Sequence, residues 1–186
     1  MRELAQHILD LVENSAAAGA SRVQIVVEVR GDADLLTITV RDNGRGMPTE
    51  TLAKATDPFF TSRSSRRVGL GIPLLKASAE RSGGWLRIES QVGTGTLVEA
   101  VFALSNVDTP PLGDLKSTLI CSIVGHQDMD VIFRQTVGDK VFELDSGLVK
   151  QALGDVPLTD PRALRWLERT VTEGLDRIND PSIVRR

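Results

Sequence analysis

One cysteine, Cys121, occurs in 186 residues, which excludes an internal disulfide and any cysteine-rich zinc site. Two histidines, His7 and His126, are too few for a histidine-based metal centre. Tyrosine is missing and aromatics make up only 4% of the chain, so no aromatics interleave with cations as in a single-strand nucleic-acid binder. No apolar run has signal-peptide form or the length to span a bilayer. A charge excess is lacking too: the net charge is −3 and the pI about 5.5, which points to neither a nucleic acid nor a membrane surface as partner. What is there is ordinary for a soluble chain, 41% hydrophobic and 25% charged. The length suffices for one domain, with or without a smaller companion. A reducing cytoplasm is the expected compartment.

Residues 7–14, His-Ile-Leu-Asp-Leu-Val-Glu-Asn, organise the rest. On a helix, Leu4, Ile8, Leu11 and Ser15 line one face. A second stripe carries Glu3, His7, Asp10 and Asn14. The apolar face can then pack on a sheet while a carboxylate and a carboxamide, one turn apart, point into a cleft. A carboxamide oxygen suits Mg²⁺, and a carboxylate can orient or deprotonate a group attacking phosphate. By spacing alone this stripe equally describes an amphipathic helix that binds nothing.

Val23, Ile25, Val27 and Val29 alternate as a half-buried strand, and residues 35–40 return beyond a turn at Gly31-Asp32. The second strand runs into Asp42-Asn43-Gly44-Arg45-Gly46-Met47, where two glycines permit close backbone approach to a ligand. The same residues are turn chemistry in any protein. Residues 48–55 read as a short helix, and 56–68 as a loop rich in hydroxyls and guanidinium groups. Gly69-Leu70-Gly71 opens a helix through about residue 81, offering backbone N–H groups to phosphate at its positive end. Strands are expected at 85–90 and 98–104, joined by a turn at Gly93-Thr94-Gly95-Thr96. A linker spans 106–112. Beyond it the pattern predicts a strand over 118–124, a hairpin of 131–137 with 140–145, a short helix over 147–153, and a helix N-capped by Asp160 with Pro161 at its first position.

These motifs, in this order, resemble the ATP-binding domain shared by gyrases, ninety-kilodalton heat-shock chaperones, histidine kinases and mismatch-repair ATPases, the GHKL superfamily or Bergerat fold. Residues 10–15 resemble its N-box and 42–47 its first glycine box. Residues 57–63 resemble the F-box and lid entry of nitrogen-regulator-type histidine kinases. Residues 68–76 resemble the second glycine box, and 93–96 the last turn. The resemblance implies an α/β two-layer sandwich, a mixed β-sheet with helices on one face, over residues 1–105. A small C-terminal α/β extension over 113–186, of unknown role, follows the linker.

The resemblance also implies roles. Asn14 would hold Mg²⁺ bridging the ATP phosphates, and Asp10 would serve the attacking group. Asp42 would accept from the adenine 6-amino group, with Thr96 supporting the ring through water. Gly44 and Gly46 would pass close to the nucleotide, and Gly69 and Gly71 would offer N–H groups to phosphates. Thr61 and Arg63 lie at the lid entry, with Arg63 as a bidentate donor near the terminal phosphate. Met47 and Leu70, with Ile72, would line the adenine pocket; plain core packing is an equal reading for each. Three departures stand out. Asp10 replaces the glutamate of hydrolytic members, shorter by one methylene. Arg67 replaces a lid glycine. A dimerisation hairpin with a phosphoacceptor histidine is not expected ahead of the N-box, and His7 reads as a hydrogen-bonding helix residue. The expected function is Mg²⁺-dependent ATP binding coupled to a partner protein, a phosphorylation target or regulated enzyme. The chain would act as a trans-acting protein kinase of histidine-kinase or anti-sigma-factor type, or else as a slow ATPase or conformational switch. A homodimer is compatible with this.

Overall fold

The computed structural model describes residues 3–57 and 71–178. Period-two burial builds the sheet. Val23, Ile25 and Val27 of β1 (Arg22–Arg30) and Leu36, Ile38 and Val40 of β2 (Leu35–Asp42) are buried on one face, while Gln24 and Glu28 face solvent. β3 (Trp85–Gln91) and β4 (Gly95–Ala103) extend this sheet beyond β2, so that Asp42, Thr96 and Ser90 share one row of the register. In β4, Val98, Ala100 and Phe102 point to the core, and Val101 is buried as well on the opposite face, between Trp85 and Thr37 in register.

α1 (Leu4–Ala17) buries Leu4, Ile8, Leu11 and Val12, each contributing about 1.5–3 kcal/mol of burial. It ends in a Schellman arrangement: the Ala20 N–H reaches Ser15 O and the Gly19 N–H reaches Ala16 O, with Gly19 at φ +73°. Its start is capped from far along the chain, Leu4 N–H donating to Pro111 O and Ala5 N–H to Leu112 O. The segment read as a linker is therefore bonded to the helix that carries the N-box. α2 (Thr49–Lys54) is short, and α3 (Gly71–Arg81) lies on β3 and β4.

One expectation fails. Residues 118–124 are no strand but part of α4 (Leu115–Gly125), so His126 ends a helix and does not join two strands. The buried positions Leu115, Thr118, Leu119, Ser122 and Ile123 are spaced as one helix face. Two of the five are hydroxyl residues, and apolar Ile120 and Val124 flank them, which hides the period in a run of β-branched residues. Asp114 caps the start, accepting from Ser117 N at 2.9 Å.

β5 (Asp130–Val137) and β6 (Lys140–Asp145) form the expected hairpin, followed by α5 (Ser146–Leu153) and α6 (Pro161–Ile178). β5 lies parallel to β1, giving one mixed six-stranded sheet of order β3-β4-β2-β1-β5-β6. The residues after 106 thus share the N-terminal sheet and its core, in which Leu119, Ile123, Phe133 and Val171 join Ile8 and Ile25. Gly174 lets α6 press on Phe142, whose ring a Cβ there would meet at 2.2 Å. Helices cover one sheet face and leave the other open, as expected for this fold class.

Candidate functional site

The candidate site lies where α1 and β2 end and β4 begins. Asp42 continues the inward alternation of β2, so its carboxylate faces α1. Oδ1 accepts from Gly44 N at 2.8 Å and Thr96 N at 3.3 Å, and Oδ2 from Ser15 Oγ at 2.9 Å. Ser15 Oγ also lies 3.1 Å from Leu11 O, the weaker acceptor beside a carboxylate. A carboxylate offers about four acceptor positions. Three are taken here, and the fourth lies on Oδ2 of a half-exposed residue.

The glycines make this approach possible. A Cβ at Gly44 would stand 2.8 Å from Ala18 Cβ, and Gly46, at φ +65°, would place one 2.0 Å from Gln91 O. The loop is pinned by Arg45 N to Ala18 O, Gly93 N to Arg45 O and Met47 N to Ser90 Oγ, all 2.9–3.0 Å. Asn43 Oδ1 accepts from the amides of Ser21 and Arg22. Ser90 Oγ lies 2.9 Å from Thr96 Oγ1 and 3.0 Å from Gly95 O. Donation from Thr96 to Ser90 and from Ser90 to Gly95 satisfies both hydroxyls and leaves Thr96 an acceptor.

Asp10 lies on the α3 side of α1: a Cβ at Gly71 would sit 3.1 Å from Asp10 Cβ and 3.4 Å from its Oδ2. The carboxylate thus stands beside the first described turn of α3. Asn14 follows one helical turn later, exposed, next to Ser15. The structure therefore brings Asp10, Asn14, Asp42, Gly44 and Gly71 together along the C-terminal half of α1, with Thr96 beside Asp42 and with Gly46 and Met47 held against the β3–β4 turn. Thr61, Arg63, Gly69 and Leu70 lie outside the described residues. His7, read on the polar stripe, is instead 2% exposed: the interior extends further round α1 than its apolar spacing indicated. Sequence reasoning also missed Ser15, Ser90 and Asn43 as the groups that hold Asp42 and its loop. Ser15, a hydroxyl closing an apolar stripe, was the one available signal.

Among the described residues no three His, Cys, Asp or Glu side chains gather as a metal site. The donor set fits a Mg²⁺ carried mainly by phosphate oxygens and water with one carboxamide ligand. A concavity of about 740 Å³ opens at this end of the sheet, and its lining joins Asp42, Ser90 and Thr96 of the site to Arg22, Gln24, Arg41 and Ile132 of the strands.

Comparison with known proteins agrees with this arrangement. Residues 1–106 match the family of histidine kinase-, DNA gyrase B- and HSP90-like ATPases. The chain belongs to that family. It is 35% identical over 101 residues to histidine protein kinase DivJ of Caulobacter vibrioides, covering 52% of this chain and 17% of that protein. It is 28% identical over 104 residues to sporulation kinase C of Bacillus subtilis, covering 56% and 24%. The chain thus spans less than a quarter of either relative. The N-terminal domain of a DNA repair protein superposes with TM-score 0.55 at 13% identity, covering 77% of this chain and 52% of that one, a likeness of fold. This chain carries an ATP-binding domain of the histidine-kinase-like type. No helix among the described residues is long and apolar enough to cross a membrane.

Proposed function

We propose that the chain binds Mg·ATP between α1, the end of β2 and α3, and passes the terminal phosphate to a partner protein in trans, as a cytoplasmic kinase of histidine-kinase or anti-sigma-factor type. The observation that carries this is Asp42, held by Gly44, Thr96 and Ser15, with one acceptor position left over among the described residues. That position suits the adenine 6-amino donor, and Thr96 supports the ring through water. Met47 and Leu70 flank the base, and Gly44 and Gly46 keep the loop close to it. Asn14 would hold the Mg²⁺, which when bound would supply neutralisation of the phosphate charge. Gly69 and Gly71 offer backbone N–H groups, Thr61 and Arg63 serve the terminal phosphate, and Asp10 orients the attacking group.

Transfer in trans is supported by the two histidines. His7 is buried in α1, and His126 is held by Glu13 at 2.9 Å on the α4 side of that helix. In-line transfer needs a near-attack approach of about 3–3.5 Å, which the His7 ring, fixed inside a packed helix, does not reach. Incubation with γ-labelled ATP, read on alkaline gels that preserve phosphohistidine, should leave the isolated chain unlabelled and move label to an added partner. Stoichiometric label lost in His7→Gln or His126→Gln would overturn transfer in trans. One observation favours a second reading, a slow ATPase or switch: Asp10 is shorter than glutamate, which weakens water activation. Nucleotide-dependent partner binding without transfer would select it. Partner engagement is also where a homodimer would enter.

A further inference from the structure

Both tryptophans lie at the surface, Trp85 46% and Trp166 42% exposed. Tryptophan and arginine dominate the energetics of protein interfaces, and around Trp166 the two coincide. α6 presents Arg162, Arg165, Trp166 and Arg169 to a groove against α4, which contributes Lys116; the concavity measures about 700 Å³. The arginines follow i, i+3, i+7 spacing, a stripe of like charge that works against the helix carrying it. Arg162 leans on Asp160 at 3.5 Å, and Lys116 lies in the field of Asp114. Arg165 and Arg169 have no ion pair or hydrogen bond among the described residues. Four cations thus face two carboxylates, Glu168 and Glu173, in the groove of a chain whose net charge is −3.

We propose that this groove between α4 and α6 docks an acidic segment of a partner protein. Its carboxylates would pair with Arg165 and Arg169, about 6 Å apart along the helix, and an apolar side chain would cover the Trp166 indole. Guanidinium groups bind carboxylates in bidentate fashion. Glu168 and Glu173 on the same wall oppose a continuous phosphate backbone, whereas a peptide can place its acids between them. The residues lining this groove include none of those gathered around Asp42. The proposal rests on the functional reading above only in requiring a partner protein.

The test uses the full chain carrying Trp85→Phe, so that Trp166 alone fluoresces, titrated with a short synthetic amphipathic peptide of Glu, Leu and Ala. Its Lys-for-Glu counterpart and a single-stranded DNA oligonucleotide serve as comparators. The Glu peptide should give a saturable change in Trp166 emission that weakens with salt, and the Lys peptide none. Arg165→Glu with Arg169→Glu should weaken binding at least about tenfold, and the milder Arg165→Ala with Arg169→Ala should weaken it less, with thermal melting unchanged in both. No saturable change, equal binding by the charge-reversed variant, or tighter binding of the oligonucleotide would overturn the docking site. ATP affinity, titrated separately on the same variants, should stay within about twofold. Loss of ATP binding by the parent chain with peptide binding intact would count against the proposed function and leave the docking site standing.

Discussion

At the scale of single residues, the proposed function makes Asp42 the group that would select the nucleotide. A carboxylate only accepts, so it suits the 6-amino group of adenine and opposes the 6-oxo group of guanine. Asp42→Ala should cost on the order of 1.5–3 kcal/mol, about ten- to a hundredfold in affinity, with the fold kept. Calorimetric titration giving unchanged ATP affinity, or equal affinity for GTP, would remove the assignment. In the proposed function Asp10 and Asn14 would divide binding from chemistry. Asn14→Ala should weaken Mg·ATP much more than metal-free nucleotide. Asp10→Asn should leave binding within a few-fold and abolish turnover; full turnover in that variant would reduce Asp10 to a packing neighbour of Gly71. These residues could be nominated from the sequence because each stands in a short run of chain with its own chemistry. Ser15 could not, since its partner Asp42 lies 27 residues away.

At the scale of elements, the helices of the C-terminal half depend on acidic caps. The Asp114 carboxyl is held below the ordinary aspartate range, chiefly by the Ser117 hydroxyl and amide. The Asp160 carboxyl is held low chiefly by the Arg162 amide. A depressed carboxyl contributes stability that is fully present above its unfolded pKa, about 3.9, and is lost as pH falls through the lower folded value. Asp114→Ala should therefore lower stability by about 1 kcal/mol or less at neutral pH, because the cap is solvent-exposed. The gap in melting temperature from the parent chain should hold between about pH 5 and 7 and close below about pH 4. A gap that widens in acid would contradict the cap. The same Asp114 was the missed sign that residues 115–125 start a helix.

At the scale of the whole molecule, the segment after residue 106 completes the N-terminal half. β1 sits between β2 and β5, and α1 takes its N-terminal caps from Pro111 and Leu112. A chain cut after residue 106 would expose the β1 edge and bare the buried flank of α1 that faces α4, where Thr118 Oγ1 donates to Ala5 O. An open, apolar strand edge invites aggregation. We expect the 1–106 fragment to lack a cooperative thermal transition by circular dichroism. A sharp melt near that of the full chain would mean that the two halves fold independently.

The sequence by itself determined the nucleotide motifs, the alternating strands and the amphipathic α6, because each depends on backbone freedom or periodicity within a few residues. Gly44, Gly46 and Asp42 belong to that class. Tertiary structure alone decided that β5 lies parallel beside β1, that 106–112 caps α1 and that His7 is interior. It also decided that Thr118–Ser122 belong to a helix face, where buried hydroxyls bond back to the backbone, as Ser122 Oγ does to Thr118 O at 2.7 Å. Parallel pairing and burial depend on contacts between residues a hundred or more positions apart, and no local pattern encodes which distant surface a strand or helix will meet.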